Sequence, residues 1–245
     1  MQANPDKFQF MIFFKKNVDI QSITLNVDTV IPTETHIKAL GVLIDSKLSF
    51  SEHTSHLCSK AARQLNALAR ISRFLKPDSR KIIYNCFIRS NFEYCPLAWH
   101  FCGVTNNKKI EKIHERALRI LYNDTSSSYD DLIDNGNTTT MLASRLRGIV
   151  VHVFKCINDL NPACLNDMYE IKEIPYGMRK SKKLVQPKTI TTTFGLRSLS
   201  YVGAKLWNEL PFDVDSGIDL DIFQFRNMLK SLKAPVCDDP QGHYV

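Results

Sequence analysis

Apolar residues between positions 40 and 75 change their spacing once, and the change predicts a strand followed by a long helix. Positions 40–44 form a short, branched apolar run bounded by turn-forming residues, which is typical of an interior strand. Further on, apolar residues recur every three or four positions and therefore share one helix face. These positions are Leu57, Ala61, Leu65, Leu68, Ile71 and Leu75. Ser49 and Glu52 have the spacing of a capping box, so we expect the helix to begin there.

The same helix carries a second group of residues, all of them basic, on a different face. We call this group the basic face, and its members are Lys60, Arg63, Arg70 and Arg73. A helix divided in this way can pack on a core with one side and offer cations to a polyanion with the other. A charged helix face is more often simply hydrated, so the periodicity by itself leaves both explanations open.

Strand patterns are concentrated at the amino-terminal end of the chain. Positions 8–14 are apolar except for Gln9, which predicts a strand that is buried on both sides. Residues 22–25 and 29–32 flank a turn at 26–28, which predicts a hairpin. The β element of the fold is therefore expected to be small.

Helical spacing dominates from residue 78 to residue 159. It predicts helices over residues 78–91, 107–122 and 139–159, and Ser128 with Asp131 predicts a capped short helix that Gly136 ends. The inward positions of the first helix are Ile82, Ile83, Cys86, Phe87 and Phe92. Those of the second are Ile110, Ile113, Ala117, Ile120 and Leu121, and those of the third are Leu142, Leu146, Ile149, Val150, Val153 and Ile157. Pro96 breaks the pattern and places Trp99 and Phe101 in a packed corner.

The chain becomes basic and rich in turn-forming residues at positions 173–188. Four cations here offer a second, looser anion site, although a hydrated linker is the more common explanation; they are Arg179, Lys180, Lys182 and Lys183. Residues 183–186 and 189–193 predict a small hairpin. The rest of the chain predicts a helical pair that contains Trp207 and Phe225.

Composition and charge narrow the class of partner. The 245 residues are 44% hydrophobic and 23% charged, which is typical of a globular protein, and the formal charge of +7 favours an anionic partner. Seven cysteines without regular spacing, no secretory signal and no bilayer-length apolar run predict a reduced, intracellular protein without a membrane partner. The sequence does not distinguish the nucleus from the cytoplasm.

Candidate catalytic and metal-binding residues are few. Tyr129, Asp130 and Asp131 lie at a predicted helix start, which favours capping over catalysis. The potential zinc ligands Cys95, His100, Cys102 and His114 lack a Cys-x2-Cys pair, so we prefer core cysteines and partly exposed histidines. Neither a nucleophile elbow nor a glycine-rich phosphate loop occurs, and we expect no metal, cofactor or small-molecule substrate for this chain.

Several segments together resemble one family. The stretch KALGVLIDSKLSFSEHTSHL at residues 38–57, followed by an alanine- and leucine-rich helix, resembles the region just after the palm of reverse transcriptases from non-LTR (LINE-type, jockey- or CR1-like) retrotransposons. The Asn-Pro-x-Lys segment at 4–7, the Tyr-Cys pair at 94–95 with Trp99, and Leu-Trp-Asn-x-Leu-Pro at 206–211 are also similar to that family. The resemblance covers roughly residues 4–233.

This resemblance implies roles for particular residues. Leu40 and Gly41 correspond to the turn of the primer-grip hairpin, and the long helix corresponds to the opening of the thumb. Lys7 corresponds to a palm lysine that helps to protonate the pyrophosphate leaving group, although an ordinary edge-strand lysine is the simpler explanation. The parent polymerase would use Mg²⁺ held by carboxylates of the palm, and those motifs are absent from this sequence.

We therefore expect a mainly α protein of the α+β class, with a multi-helix, thumb-like bundle and a short carboxy-terminal hairpin and helix subdomain. The expected divisions are 1–48 (palm-end strands and primer-grip-like hairpin), 49–172 (thumb-like domain), 173–198 (basic linker) and 199–245 (helical segment and tail). The expected function is that of a truncated carboxy-terminal portion of an RNA-directed DNA polymerase. It would bind RNA/DNA duplex weakly and without sequence preference, would partner the missing palm and fingers, and would not polymerise alone. The alternatives are a non-catalytic structural or protein-interaction domain, or a gene fragment that is not under selection.

Overall fold

The computed structural model describes residues 8–13, 21–24, 30–172, 183–191, 194–211 and 220–231. This part is mostly helical and has two small antiparallel hairpins near its amino-terminal end, which confirms the predicted α+β class. The strands are β1 (Ser22–Thr24), β2 (Val30–Pro32), β3 (His36–Ala39) and β4 (Val42–Asp45). The helices are α1 (Ser51–Ile71), α2 (Pro77–Ile83), α3 (Ser90–Glu93), α4 (Pro96–Trp99), α5 (Val104–Tyr122), α6 (Tyr129–Asn135), α7 (Met141–Ile157), α8 (Ala163–Asn166), α9 (Leu199–Asn208) and α10 (Ile222–Ser231). A 3₁₀ turn (Ser72–Phe74) follows α1, and a π-helical segment (Tyr84–Arg89) follows α2.

These elements belong to two compact units. Unit 1 comprises Met1–Cys95 and Phe101–Ile113, and unit 2 comprises Pro96–His100 and His114–Val245. Helix α5 therefore contributes its first half to unit 1 and its second half to unit 2. The predicted divisions after residues 48, 172 and 198 stay predictions.

The first hairpin pairs β1 with β2, as the sequence predicts, with Ile23 opposite Ile31. The strand predicted over residues 8–14 is wrong for residues 8–13, where Phe10 makes a single bridge to Thr33. A longer ladder cannot form along β2 because Pro32 has no amide N–H to donate. Phe8 and Phe13 are consequently exposed.

The second hairpin joins β3 to β4 through the two-residue turn Leu40–Gly41. Both residues have a positive φ, 46° for Leu40 and 87° for Gly41, which is the combination that a type I′ turn requires. The interior strand predicted over residues 40–44 is therefore wrong at its first two positions. Turn geometry displaces Leu40 to the hairpin tip, where it is 90% exposed, and the strand begins at Val42.

Helix α1 begins at Ser51, and the capping box predicted from Ser49 and Glu52 is wrong. The reason is Asp45, whose buried carboxylate accepts hydrogen bonds from the backbone N–H groups of Lys47, Ser49 and Phe50 at 3.1, 3.0 and 2.6 Å. The Ser49 hydroxyl also donates to Asp45, at 3.1 Å, and so does not cap the helix. The carboxylate of Glu52 lies 3.3 Å from His36 Nε2.

The core of unit 1 lies along the predicted apolar face of α1, with Leu57, Ala61, Leu65 and Leu68 buried. The predictions for Ile71 and Leu75 are wrong in part, because the α-helix ends at Ile71. Ile71 is 45% exposed, and Leu75 is only partly buried.

The segment that packs on α1 buries Tyr84, Ile88 and Phe92. Phe92 is buried as predicted and Ile83 is partly buried. The other predicted inward positions are wrong, because Ile82, Cys86 and Phe87 are exposed. The wider π-helical turn shifts the inward face by one position, and an α-helical period does not anticipate this shift.

Helix α5 confirms the helix predicted over residues 107–122 and begins three residues earlier. Ile110, Ala117 and Leu121 are buried as predicted, whereas Ile113 and Ile120 are partly buried. The short helix α6 has the predicted capping box, in which Ser128 and Asp131 exchange hydrogen bonds, and Gly136 ends it.

The core of unit 2 is formed by α7 together with α9 and α10. Leu146, Ile149, Val150 and Val153 of the predicted face are buried, while Leu142 and Ile157 are partly buried against this core. Phe225 is fully buried, and its ring stacks on Phe154 with 4.3 Å between centroids. Trp99 is also fully buried, with the Arg145 guanidinium 5.1 Å from its ring centroid.

The hairpin predicted from residues 183–186 and 189–193 is wrong over the described residues 183–191. Leu184 instead forms an antiparallel bridge with Ile171. The Asn208 side-chain amide accepts from Leu184 N and donates to Leu184 O, both at 2.9 Å, so this backbone is not available to a hairpin partner. In the described part of the chain, no helix combines the length and apolar character that a bilayer crossing requires.

Candidate nucleic-acid interface

All four residues of the basic face are exposed in the structure. Lys60, Arg63 and Arg70 lie on α1 on the side away from its buried face, and Arg73 lies in the 3₁₀ turn. No acidic residue occurs in the sequence between Glu52 and Asp78. The basic face is therefore a set of exposed cations in unit 1, in a stretch of the sequence that contains no acidic residue.

The charges of this surface are not neutralised by neighbouring acids. Within residues 30–172, Lys60, Arg63 and Arg70 take part in no ion pair, and the Glu52 carboxylate at the start of α1 is paired with His36. Lysine and arginine side chains without an acidic partner can exchange their counterions for phosphates.

The length of the surface suits a nucleic-acid backbone. Ten residues separate Lys60 from Arg70, which corresponds to about 15 Å along a helix axis at the α-helical rise. One strand of a duplex carries a phosphate about every 3.4 Å of axis, so this distance spans roughly four phosphates. Cations presented in this way contact the backbone and carry no direct sequence information.

A second cationic surface, which the sequence analysis did not single out, lies on α5. Its members are Lys108, Lys109 and Lys112, all exposed. They lie opposite the buried residues Ile110, His114 and Ala117, and the same three- and four-residue spacing that identified the basic face was a signal for them. Lys108, Lys109 and Lys112 belong to unit 1.

Contacts within unit 1 fasten the start of α5 to the start of α1. Asn106 Nδ2 donates to Ser51 Oγ at 3.1 Å, and the Phe50 and Phe101 rings meet edge to face with 5.4 Å between centroids. Burial raises the pKa of the Cys58 thiol to about 11, and the nearby Lys109 ammonium partly offsets this effect. The positive charge of Lys109 thus acts electrostatically on Cys58, a residue of α1.

Asp45 and His53 make the hydrogen bonds at the junction of β4 and α1. Burial alone would raise the pKa of Asp45, but hydrogen bonds from Ser49, Phe50 and Lys47 outweigh it and hold that pKa below its usual range. His53 Nδ1 accepts a 3.3 Å hydrogen bond from Leu43 N, which requires that nitrogen to be unprotonated. Burial also lowers the pKa of His53.

The Leu40–Gly41 turn, for which the sequence resemblance predicts a primer-grip role, presents Leu40 to solvent. Tyr94 Oη donates a 2.6 Å hydrogen bond to the Leu40 carbonyl and so braces the turn. At Gly41 the φ of 87° favours glycine over any residue with a side chain. The turn therefore holds an exposed apolar side chain in a defined place.

Other predicted site residues are not brought into this surface. Lys7, Arg179, Lys180 and Lys182 lie outside the described residues, and Lys183 is described and half-buried. The second, looser anion site therefore stays a prediction.

Several of the candidate catalytic and metal-binding residues have structural partners. The expectation of core cysteines and partly exposed histidines is wrong for three of the four potential zinc ligands, because His100 and His114 are buried and Cys95 is exposed; it holds for Cys102, which is buried. Asp131 caps α6, and the Tyr129 hydroxyl lies 2.8 Å from His114 Nδ1. His100 Nδ1 lies 2.8 Å from the Leu97 carbonyl oxygen, and Cys102 Sγ donates to Asn107. Among the residues that the structure describes, no group of three or more Cys, His, Asp or Glu side chains is arranged to hold a metal ion.

One group of polar residues in unit 2 has the composition of a thiol nucleophile site. Cys156 Sγ lies 3.6 Å from His152 Nε2 and 3.2 Å from Asn161 Nδ2. Both the cysteine and the histidine are buried, and burial raises the pKa of Cys156 while it lowers that of His152. A nucleophilic thiol needs the opposite shift, so we interpret the group as packing.

Comparisons with protein-family models, with curated proteins and with solved structures find no match for this chain.

Proposed function

We propose that this chain is the thumb-like, post-palm portion of a reverse transcriptase of the non-LTR retrotransposon class. In this role the basic face of α1 holds the backbone of an RNA–DNA duplex while a palm carries out polymerisation. The observation that carries the proposal is the exposed, acid-free row formed by Lys60, Arg63, Arg70 and Arg73. The sequence resemblance over residues 4–233 supplies the class of enzyme.

The binding mechanism follows from the chemistry of this surface. Each lysine or arginine that meets a phosphate releases counterions, so affinity falls as salt rises. Because the proposed contacts are with phosphates, which carry no direct sequence information, binding is expected to be independent of sequence. We assign a further, apolar contact with the nucleic acid to Leu40, whose side chain is exposed. Catalysis would require the Mg²⁺-binding carboxylates of a palm, so this portion by itself is expected to bind and not to polymerise.

Titration with an RNA–DNA hybrid at several salt concentrations tests the proposal. The variant in which Lys60, Arg63, Arg70 and Arg73 are all alanine should lose affinity and flatten the salt dependence, by up to about 0.9 in the log–log slope for each lost phosphate contact. A matched control removes four cations of unit 2, namely Lys155, Lys172, Arg226 and Lys230. Both variants take the formal charge from +7 to +3 (7 − 4 = 3), so net charge does not distinguish them. Equal losses in the two variants would overturn the interface.

A protein-interaction domain is the second candidate. The observation in its favour is a set of exposed apolar side chains in unit 1: Ile71, Phe74, Ile82 and Phe87. A domain of this kind would bind the hybrid no better than the four-alanine variant does, and its response to salt would be flat.

A further inference from the structure

Phe74 ends the 3₁₀ turn at the carboxy-terminal end of the basic face and is 74% exposed. The guanidinium carbon of Arg73 lies 4.7 Å from the centroid of its ring. Exposing a large aromatic ring to water is unfavourable, and the guanidinium shields part of it. The chain thus places a cation and a free aromatic surface side by side.

The turn that carries Phe74 is fixed by hydrogen bonds on both sides. Ser72 Oγ donates to Ala69 O at 2.8 Å, and Leu75 N donates to Ser72 O at 3.1 Å. Arg80 Nε donates to Leu75 O, also at 3.1 Å, and so ties the turn to α2. A ring on a fixed turn can bind a planar ligand at a low cost in conformational entropy.

The charges around Phe74 favour an anionic, planar ligand over an apolar protein surface. Arg70, Arg73 and Lys76 are exposed on either side of it, and no acidic residue occurs in the sequence between Glu52 and Asp78. Aromatic rings beside cations are the arrangement that binds single-stranded nucleic acid, because phosphates pair with the cations while bases stack on the rings.

We propose that Phe74 and Arg73 form a stacking platform for one unpaired base at the end of the basic face. The interface then takes a junction between duplex and single strand, with the duplex backbone along α1 and the first unpaired nucleotide on Phe74. This inference rests on the proposed function and names the form of its ligand.

The test compares a blunt RNA–DNA hybrid with the same hybrid that carries a short single-stranded overhang containing 2-aminopurine. The wild-type chain should bind the overhang hybrid more tightly and change the fluorescence of the modified base. Phe74→Ala should weaken binding of the overhang hybrid about tenfold and abolish the fluorescence change, with binding of the blunt hybrid unchanged. Phe74→Tyr, which keeps an aromatic ring, should retain both effects.

The matched control is Phe87→Ala, since Phe87 is 60% exposed in the same unit. This variant should bind both hybrids as the wild type does. If Phe74→Ala binds the overhang hybrid like the wild type, or if Phe74→Leu binds it as well as Phe74→Tyr, the stacking platform is wrong. A separate result would overturn the proposed function itself. In that case the variant with alanine at Lys60, Arg63 and Arg70 would bind the blunt hybrid as tightly as the wild type does.

Discussion

Two buried titratable side chains, Asp45 and His100, determine much of the pH dependence that we expect. Asp45 is held ionised by four hydrogen bonds at the junction of β4 and α1. His100 is 6% exposed, and burial lowers its pKa to about 4. Both residues stabilise the folded chain only in one protonation state, the charged carboxylate for Asp45 and the neutral imidazole for His100.

Asp45→Asn should lower the free energy of unfolding by about 1–3 kcal/mol, because the amide group turns a donor toward N–H groups that need an acceptor. The Asp45 pKa is depressed in the folded chain, so its contribution is present above the unfolded pKa and is lost as pH falls through the folded value. Urea titrations at neutral pH and below pH 4 measure both effects. The exposed Asp134→Asn serves as the control and should change little.

His100 should make the fold sensitive to mild acid. An unfolded histidine takes up a proton near pH 6.5, whereas the folded one does so near pH 4, so unfolding binds protons between these values. Stability should therefore fall by about 3 kcal/mol as pH drops through this window. His100→Gln removes the titrating group, and a denaturation series at these pH values should show a smaller loss. An unchanged pH profile would contradict this assignment.

At the scale of elements, the β3–β4 turn is one place among the described residues where sequence and local conformation disagree. Leucine is a poor residue for a positive φ, and a type I′ turn prefers asparagine before glycine. A residue that breaks a local rule at a fully exposed tip is typical of a functional contact. We therefore connect Leu40 with the primer-grip-like role.

Leu40→Asn should raise the thermal midpoint of unfolding, because asparagine tolerates this φ, and should weaken binding of the RNA–DNA hybrid. Gly41→Val, in contrast, should destabilise the chain by about 1–2 kcal/mol, since a β-branched residue is strained at a φ of 87°. Thermal melting and hybrid titration of both variants give the result. A Leu40→Asn variant that binds like the wild type removes the turn from the interface.

The sequence predicted elements well where one helical period decides burial, and poorly where a tertiary contact does. The buried face of α1 follows from Leu57, Ala61, Leu65 and Leu68 alone. The true start of that helix could not be predicted, because it depends on the burial of Asp45 beneath it. The π-helical segment was missed for a related reason, since packing on α1 selects Tyr84 and Ile88 over their apolar neighbours. The residues of the basic face were predicted from the sequence, but only the structure could show that their side chains are exposed.

At the scale of the whole molecule, each of the two compact units has an apolar interior of its own. Leu65 and Leu68 lie in unit 1, and Phe154 and Phe225 lie in unit 2. The candidate interface lies in unit 1, so its integrity should depend most on the first of these interiors.

Phe225→Ala should destabilise unit 2 by about 3–5 kcal/mol, because a fully buried ring stacked on Phe154 is removed. Hydrogen exchange should show faster exchange in α7, α9 and α10, with α1 protected as in the wild type. Equal loss of protection in α1 would mean that the two units open together.

The Asp45 carboxylate lies at the amino-terminal end of α1, so a small change of angle there would be amplified along the helix. A 21-residue helix is about 31 Å long, so a tilt of about 10° at Phe50 would carry its far end through roughly 5 Å. That displacement is longer than a hydrogen bond. The guanidinium groups at the far end of the helix would therefore lose their phosphate contacts first. Replacement of Asp45, which lies outside the proposed interface, should therefore weaken the phosphate contacts of the basic face. The loss should be smallest at Lys60 and largest at Arg73.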